Sequence, residues 1–344
     1  MFRTLVAILL LIPAVACAET SLQGVWKGSI GTKAIIACFN ANTSASYYYV
    51  DYLQPIGLWA GNKNPFWREE DNTGIWILGA PVDGVVAGMW LTNLQAQKRL
   101  PIKLVYVDGG DDEAACARDS YNLRLESPPK IEVAKEVIQF SPGRSYRKLR
   151  FAGQETIALF GPDPALEQIN SFLTLDQSKG AIDAYFQQRR EFLGRVGVPA
   201  VDERDTEPVY WDENFITVRF FEWAAGTGTS GISNRYQTWS TKTGEAIDLW
   251  QWIGVNSNNR GKLPPKLKKF LYKQHVEESP ECSGYYRGEG VFTLTLSKSG
   301  LNFDESPWGS GGCEKSFFIS YENLRPFLSP AGKKAVSAIT ETEK

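Results

Sequence analysis

The residues that most constrain how this chain can fold lie at positions 211–253. Between 216 and 221 an apolar side chain occupies every second position, a period that predicts a strand with one buried face. The residues that follow are small and polar, so they form neither a stable helix nor a packed strand. We therefore predict a loop there, and its glycines are Gly226, Gly228 and Gly231.

The same stretch continues with a predicted hairpin. Residues 235–240 are rich in Tyr, Thr and Trp, which favours a second strand. Gly244 tolerates the positive φ that a tight reversal requires, and 246–253 is then expected to return as a third strand. The stretch thus predicts an antiparallel sheet, which specifies a fold more clearly than a reaction.

The N-terminal residues predict export. Residues 1–18 carry one positive charge, an apolar run at 5–12 and small residues before the expected cleavage site after Ala18, as in a secretory signal peptide. The apolar run is too short to span a bilayer. Lipid attachment at Cys17 is the alternative to simple release. We expect a periplasmic or secreted mature chain without a transmembrane segment.

Four cysteines remain after the predicted signal peptide, and an even number in an exported chain favours two disulfides. Their positions in the two halves of the chain favour local pairing, of Cys38 with Cys116 and of Cys282 with Cys313. No metal site or cofactor is expected, since the chain has no Cys-x-x-Cys spacing and one histidine. With a formal net charge of −2 and no basic arm, nucleic acid is not an expected partner.

Residues 19–127 are predicted to form an antiparallel β domain, either a sandwich or a barrel. Short apolar or aromatic segments separated by Gly, Asn and Pro recur there, and no amphipathic helical run interrupts them. Three of the segments share a Gly-x-Trp start, which places each Trp on the same strand face as its glycine. Their tryptophans are Trp26, Trp76 and Trp90.

The segment at 59–71 is both aromatic and polar, and it supplies candidate binding residues. Trp59, Phe66 and Trp67 lie there beside Arg68 and two glutamates. Exposed aromatic side chains in this setting suit stacking on a sugar ring or contact with a protein partner. In the alternative interpretation they fold inward and cover the end of a sheet, which is favoured because Trp is mostly buried in proteins.

The prolines after Ser127 predict an extended linker, so the second domain is placed at 128–344. Apolar residues at helical spacing predict helices in this half. Strands are expected at 131–140 and 147–160, and helices at 164–175, 179–196 and 263–276. The predicted class is α+β, an antiparallel β sandwich or barrel followed by a mixed domain with an antiparallel sheet.

Three short motifs mark the second half: a glycine-rich loop at 226–233, the turn Thr-Lys-Thr-Gly-Glu-Ala-Ile-Asp-Leu at 241–249, and a strand-rich ending at 292–303 and 319–324. They resemble a family of extracytoplasmic α+β domains of unknown function, found in the lysozyme-sensing anti-sigma factor and beside polysaccharide deacetylase domains. The resemblance implies a binding or sensing domain outside the membrane. The family loop often reads Gly-Ala-Ala-His; here it reads Gly-Thr-Gly-Thr, so any role of that histidine is absent.

Most catalytic classes lack their residues in this chain. His275 is the only histidine, and neither a Gly-x-Ser-x-Gly sequence nor a phosphate-binding glycine loop accompanies it. Glycoside hydrolysis needs only two carboxylates across a sugar, but spacing in the sequence does not fix their separation in space. The candidate acids near aromatic residues are Glu69, Glu70, Asp212, Glu213 and Glu222.

The favoured hypothesis is a non-enzymatic, exported binding protein of the bacterial cell envelope. Its expected partner is a protein ligand, such as a peptidoglycan hydrolase or toxin, or a cell-wall glycan. A carboxylate-dependent glycoside hydrolase and a structural envelope protein are the alternatives. The candidate binding residues are Trp59, Phe66, Trp67, Gly226, Gly228 and Gly231.

Overall fold

A computed structural model describes residues 21–40, 44–61, 66–95, 98–109, 114–200, 202–224, 232–274, 291–306 and 315–341. The chain divides into two compact units. The first unit contains the residues up to Ser127 together with Gln188–Pro199, and the second contains Pro128–Gln187 and Ala200–Lys344. Within the described ranges, no helix is both long enough and apolar enough to cross a bilayer.

The first unit is built on a closed antiparallel barrel, so the predicted choice between sandwich and barrel is settled as a barrel. Each strand pairs with the next along the chain, and the first strand pairs with the eighth. Closure removes the free sheet edges on which other chains could assemble. The strands are β1 (Gly24–Ile30), β2 (Lys33–Phe39), β3 (Ser44–Tyr49), β4 (Ile56–Ala60), β5 (Phe66–Glu69), β6 (Ile75–Leu78), β7 (Val85–Leu91) and β8 (Arg99–Asp108).

The tryptophans of the Gly-x-Trp segments all point into the barrel. Trp26 and Trp76 are fully buried in its core, and Trp90 packs against the same cluster. Gly28 lies where β1 and β8 close the barrel, and a Cβ added there would meet the Lys103 carbonyl oxygen at 1.8 Å. Glycine at this position is therefore required by the close approach of two backbones.

A disulfide joins the barrel to the segment that follows it. Cys38 on β2 and Cys116 form this bond, with their Cα atoms 5.1 Å apart and both side chains fully buried. The pairing is the one expected from the sequence, whereas Cys282 and Cys313 lie outside the described residues. Asn40 links further segments by hydrogen bonds. Its side-chain NH₂ group donates to the Leu193 carbonyl at 3.0 Å, and its side-chain oxygen accepts from the Cys116 N–H at 2.9 Å.

The second unit contains three antiparallel sheets and short helices, so the predicted α+β class is confirmed. The sheets comprise β9 (Glu132–Val133), β10 (Ile138–Ser141), β11 (Arg144–Phe151) and β12 (Gln154–Phe160); β13 (Asp202–Trp211), β14 (Phe215–Ala224), β15 (Ile232–Ser240) and β16 (Ala246–Ile247); and β17 (Val291–Ser297), β18 (Gly300–Ser306) and β19 (Lys315–Ser320). The α-helices among the described residues are α1 (Asp119–Asn122), α2 (Leu166–Phe172), α3 (Lys179–Val196), α4 (Leu249–Trp252), α5 (Pro265–Gln274), α6 (Tyr321–Leu324) and α7 (Pro330–Glu341).

The stretch from 211 to 253 matches its prediction except at its end. The two long strands and the turn at Gly244, with φ +73°, are present. Residues 226–231 of the predicted glycine loop lie outside the described residues, whereas Ile232 and Ser233, predicted as loop, belong to β15. The third strand is only two residues long and gives way to α4. The Asp248 side chain caps that helix by accepting from the Trp250 N–H, which favours a helical start over further strand pairing.

Candidate functional site

The sheet β13–β16 presents a row of polar side chains on one face. Glu207, Arg219 and Tyr236 lie directly opposite one another on β13, β14 and β15. The other face packs Ile216 and Val218 into a hydrophobic core. Because side chains alternate along a strand, burying one face leaves this row on the opposite face.

The sheet β17–β19 presents a second polar face. Thr295 lies opposite Asn302, and Asp304 lies opposite Ser316. The Asn302 amide donates to the Thr295 hydroxyl, and the Ser316 hydroxyl donates to the Asp304 carboxylate. The apolar partners of these residues along the strands, among them Phe303, fill the core on the other side.

Residues of both polar faces line a pocket of about 740 Å³, which we call the main pocket and define by Arg219, Tyr236, Thr295, Asn302, Asp304 and Ser316. Apolar atoms of Phe140, Tyr210, Leu296 and Ile339 complete its wall. Its volume lies within the roughly 300 to 1,000 Å³ that small-molecule sites occupy. Mixed polar and aromatic walls of this kind suit a ligand that has both hydroxyl groups and apolar faces.

Acidic neighbours hold the guanidinium of Arg219 in place. It donates to Asp205 at 2.9 Å and lies 2.7 Å from Glu207. Lys148 pairs with Asp205 as well. Burial acts to raise the pKa of Asp205, but hydrogen bonds and charge from Lys148 and Arg219 hold that pKa below its usual value. The charge of Arg219 is thus balanced by two carboxylates of β13.

The two carboxylates among the described lining residues differ in their surroundings. Asp212 accepts from the Tyr210 hydroxyl at 2.6 Å and from the backbone N–H groups of Asn214 and Phe215 at 2.7 and 2.6 Å. It therefore shapes the turn before β14. Burial raises the pKa of Asp304, although the hydrogen bond from Ser316 acts against that shift. Asp304 is the carboxylate with more capacity to accept hydrogen bonds from a ligand.

A smaller pocket of about 290 Å³ adjoins the main pocket at Tyr236, which lines both. We call it the side pocket; its other polar lining residues include Thr238, Asp248, Arg260 and Thr293. Arg260 pairs with Asp248 at 2.7 Å, so these two charges balance each other.

The predicted aromatic binding residues take different places on the barrel. Trp59 is 44% exposed on the outer face, opposite Arg68 on the neighbouring strand. Phe66 is almost fully buried beneath the Arg68 guanidinium, which lies 5.2 Å from its ring centre. Trp67 points into the barrel and packs edge-on against Phe39. Of the three, only Trp59 has a side chain that is largely open to a partner.

Glu69, a candidate acid, lies inside the barrel and is only 4% exposed. Its carboxylate accepts from the Tyr47 hydroxyl at 2.6 Å and from the indole N–H groups of Trp76 and Trp90 at 3.0 and 2.8 Å. The Thr73 hydroxyl donates to its second oxygen at 2.8 Å. Burial, followed by the charge of Glu69, raises the pKa of Tyr47. This arrangement fixes the interior of the barrel rather than offering a reactive carboxylate.

The other candidate acids are dispersed. Glu222 is paired with Arg204 on the neighbouring strand at 2.6 Å. Glu70 begins a short helical turn after β5. Glu213 lies in the turn between β13 and β14, next to Asp212.

No sequence motif indicated that Tyr236, Asn302 and Asp304 would line a pocket. The alternation of Thr and apolar residues in β17 was visible as a strand with a polar face. What the sequence did not contain was a signal that this face meets the polar face of β13–β16. The candidate glycines Gly226, Gly228 and Gly231 lie outside the described residues.

Comparisons with known proteins place few constraints on this chain. No family model matches it, and no curated protein matches it. Among solved structures it is similar to a crystal structure of a member of the DUF3298 family, a family of unknown function, from Bacteroides fragilis. The identity is 10% and the TM-score 0.37, over 61% of this chain and 98% of that chain. A likeness at this level carries no argument about function.

Proposed function

We propose that the protein is an exported, non-enzymatic binding protein of the bacterial cell envelope, and that the main pocket binds a neutral saccharide of the cell-wall glycan. The observation that carries the proposal is the meeting of two polar sheet faces around a pocket with aromatic and aliphatic walls. Saccharides present hydroxyl groups at their rims and apolar C–H faces, so they match both kinds of lining.

The charges of the main pocket support a neutral ligand. Its described cationic lining residues, Arg219 and Lys298, are matched in number by Asp212 and Asp304. Arg219 is also paired with acids on β13. A site for a phosphate or a multiply charged group would present an excess of one sign, because a buried charge needs a partner of opposite charge.

Hydrogen-bonding capacity in the pocket also fits hydroxyl groups. Asp304 can accept from sugar hydroxyls and the Asn302 amide can donate or accept, while the Ser316 hydroxyl, whose hydrogen points to Asp304, can accept. Tyr236 adds an aromatic side chain to the same lining. A polar ligand that satisfies these groups gains specificity, since leaving them unpaired on desolvation is costly.

The proposal of a non-enzymatic role rests on the state of the pocket carboxylates. Glycosidases need one carboxyl group as an acid and a second as a nucleophile or base. Asp212 is committed to three donors that fix a turn. Among the described lining residues, Asp304 is then the carboxylate available for ligand contact, and a single such group suits binding better than hydrolysis.

Isothermal titration with a tetramer of β-1,4-linked N-acetylglucosamine tests the proposal. We expect saturable binding to the mature chain, and Tyr236→Ala to weaken it about fivefold, since aromatic contacts of this kind contribute on the order of 1 kcal/mol. Tyr52→Ala is the matched control, because Tyr52 is an exposed tyrosine on the barrel. An absence of binding at millimolar sugar, or equal affinities for wild type and Tyr236→Ala, would contradict the proposal.

A protein ligand, such as a peptidoglycan hydrolase or toxin, is the second candidate. The exposed Trp59 beside the exposed Arg68 favours it, because tryptophan and arginine are enriched among the residues that dominate protein interfaces. Under this alternative, the double variant Trp59→Ala with Arg68→Ala abolishes inhibition or binding of a purified lysozyme-type hydrolase. Variants of the main pocket then leave that binding unchanged.

A further inference from the structure

We infer, on the basis of the proposed function, that the ligand is an extended saccharide chain that occupies the main pocket and the side pocket as consecutive subsites. The two pockets share Tyr236, and residues of β15 and β17 line both of them. A single sugar would need only the main pocket.

The order of lining residues along β17 shows how the pockets follow each other. Thr293 and Leu294 line the side pocket, and the next residues, 295–297, line the main pocket. With a rise of about 3.3 Å per residue, the lined part of the strand is about 13 Å long. This length exceeds one pyranose ring, so a chain lying along β17 would place successive sugars in the two pockets.

The chemistry of the side pocket repeats that of the main pocket. Its charged residues, Asp248 and Arg260, form a pair, so the side pocket is electrically balanced as well. Thr238 and Thr293 add polar groups to its lining. Tyr236 stands at the junction, where its ring can contact the apolar face of a sugar in either pocket. An uncharged saccharide chain would therefore make the same kinds of contact in both pockets, hydrogen bonds to polar groups and packing against Tyr236.

The length dependence of binding tests the inference. The probes are N-acetylglucosamine and its β-1,4-linked dimer, titrated into the mature chain. We expect the dimer to bind about tenfold more tightly than the monomer. Arg260→Gln should weaken dimer binding at least threefold and leave monomer binding unchanged, whereas the control Lys262→Gln, which changes an exposed cation in the same loop, should affect neither.

The outcomes separate this inference from the proposed function. Equal affinities for monomer and dimer, or an equal effect of Arg260→Gln on both, would overturn the extended ligand while leaving a single-sugar site in place. Failure of the monomer, the dimer and the tetramer to bind would overturn the proposed function itself. Because Arg260 is exposed and Asp248 keeps its capping bond to α4, loss of folding is not the expected result of the variant.

Discussion

Trp76 and Trp90 lie opposite each other on β6 and β7, and both indole N–H groups donate to the same oxygen of Glu69. Of the two Gly-x-Trp segments, one lies at the start of β6 and the other near the end of β7. They bring two indoles to one buried carboxylate, and Tyr47 on β3 adds a third donor. A charge inside a barrel is tolerated when several donors surround it.

We predict that Glu69→Gln destabilises the barrel. In the variant, the side-chain NH₂ group of glutamine would lie close to the hydroxyl and indole groups that donate to the Glu69 carboxylate. Because a donor cannot accept these hydrogen bonds, buried polar groups would lose partners, and the free energy of unfolding should fall by about 2 to 4 kcal/mol. Chemical denaturation followed by tryptophan fluorescence measures the change. Asp51→Asn, at an exposed turn of the same unit, is the control and should lie within error of wild type. An unchanged unfolding midpoint for Glu69→Gln would show that the network contributes little.

Removal of the disulfide should also destabilise the first unit. The bond between Cys38 and Cys116 spans 78 residues, and the double variant to alanine should cost roughly 2 to 5 kcal/mol. Mutation is preferable to reduction, because a reductant would also act on any bond of Cys282 and Cys313. Denaturation in guanidinium chloride measures the loss, and a double variant as stable as wild type would contradict the prediction.

A buried and an exposed ion pair of the second unit should respond differently to mutation. Asp163 accepts from Arg144 at 2.8 and 2.9 Å and from the Trp211 indole at 3.0 Å. We expect Asp163→Asn to destabilise the protein by about 2 to 3 kcal/mol, since the buried Asp163 carboxylate loses its charged hydrogen bonds from Arg144, a side chain that is itself partly exposed.

The matched control for that experiment is Asp183→Asn, which breaks the exposed helical pair with Lys179. Exposed pairs of this kind contribute about 0.5 kcal/mol or less. Thermal unfolding of both variants gives the comparison. Similar losses for the two variants would refute the importance of the buried network.

Binding in the main pocket should weaken as the pH falls. The loss should begin at a higher pH than the one at which an exposed aspartate becomes protonated. Burial raises the pKa of Asp304 above its usual value of about 3.9. The charged form accepts hydrogen bonds from a ligand, so affinity is full above the raised pKa and falls as the pH drops through it. Titrations of the N-acetylglucosamine tetramer from neutral to acidic pH measure this loss, and Asp304→Asn should remove it. Parallel pH profiles for wild type and variant would contradict the assignment.

Local patterns in the sequence predicted the elements better than the site. The period of two at 216–221 predicted β14, and the turn at Gly244 was predicted from its glycine. The segment Leu-Trp-Gln-Trp after Asp248 has strand-like composition, yet the helix cap and burial of Trp250 and Trp252 made it helical. Local propensity was overridden there by a capping bond and by the core.

The main pocket could not be predicted because it depends on contacts between distant residues. Tyr236 on β15 and Asn302 on β18 are brought together only when two separate sheets turn their polar faces toward one pocket. Likewise, the acidic and aromatic composition of 59–71 did not reveal that Glu69 points inward while Trp59 points outward. A period of two indicates that faces differ, but not which other surface each face meets.

Amide chemical shifts, mapped by NMR during titration with the N-acetylglucosamine tetramer, show directly where the sugar binds. We predict that the perturbed amides cluster at residues lining the main pocket, with Arg219, Tyr236, Asn302 and Asp304 among them. Perturbations that cluster instead around Trp59 and Arg68 on the barrel, or an unchanged spectrum at saturating sugar, would contradict it.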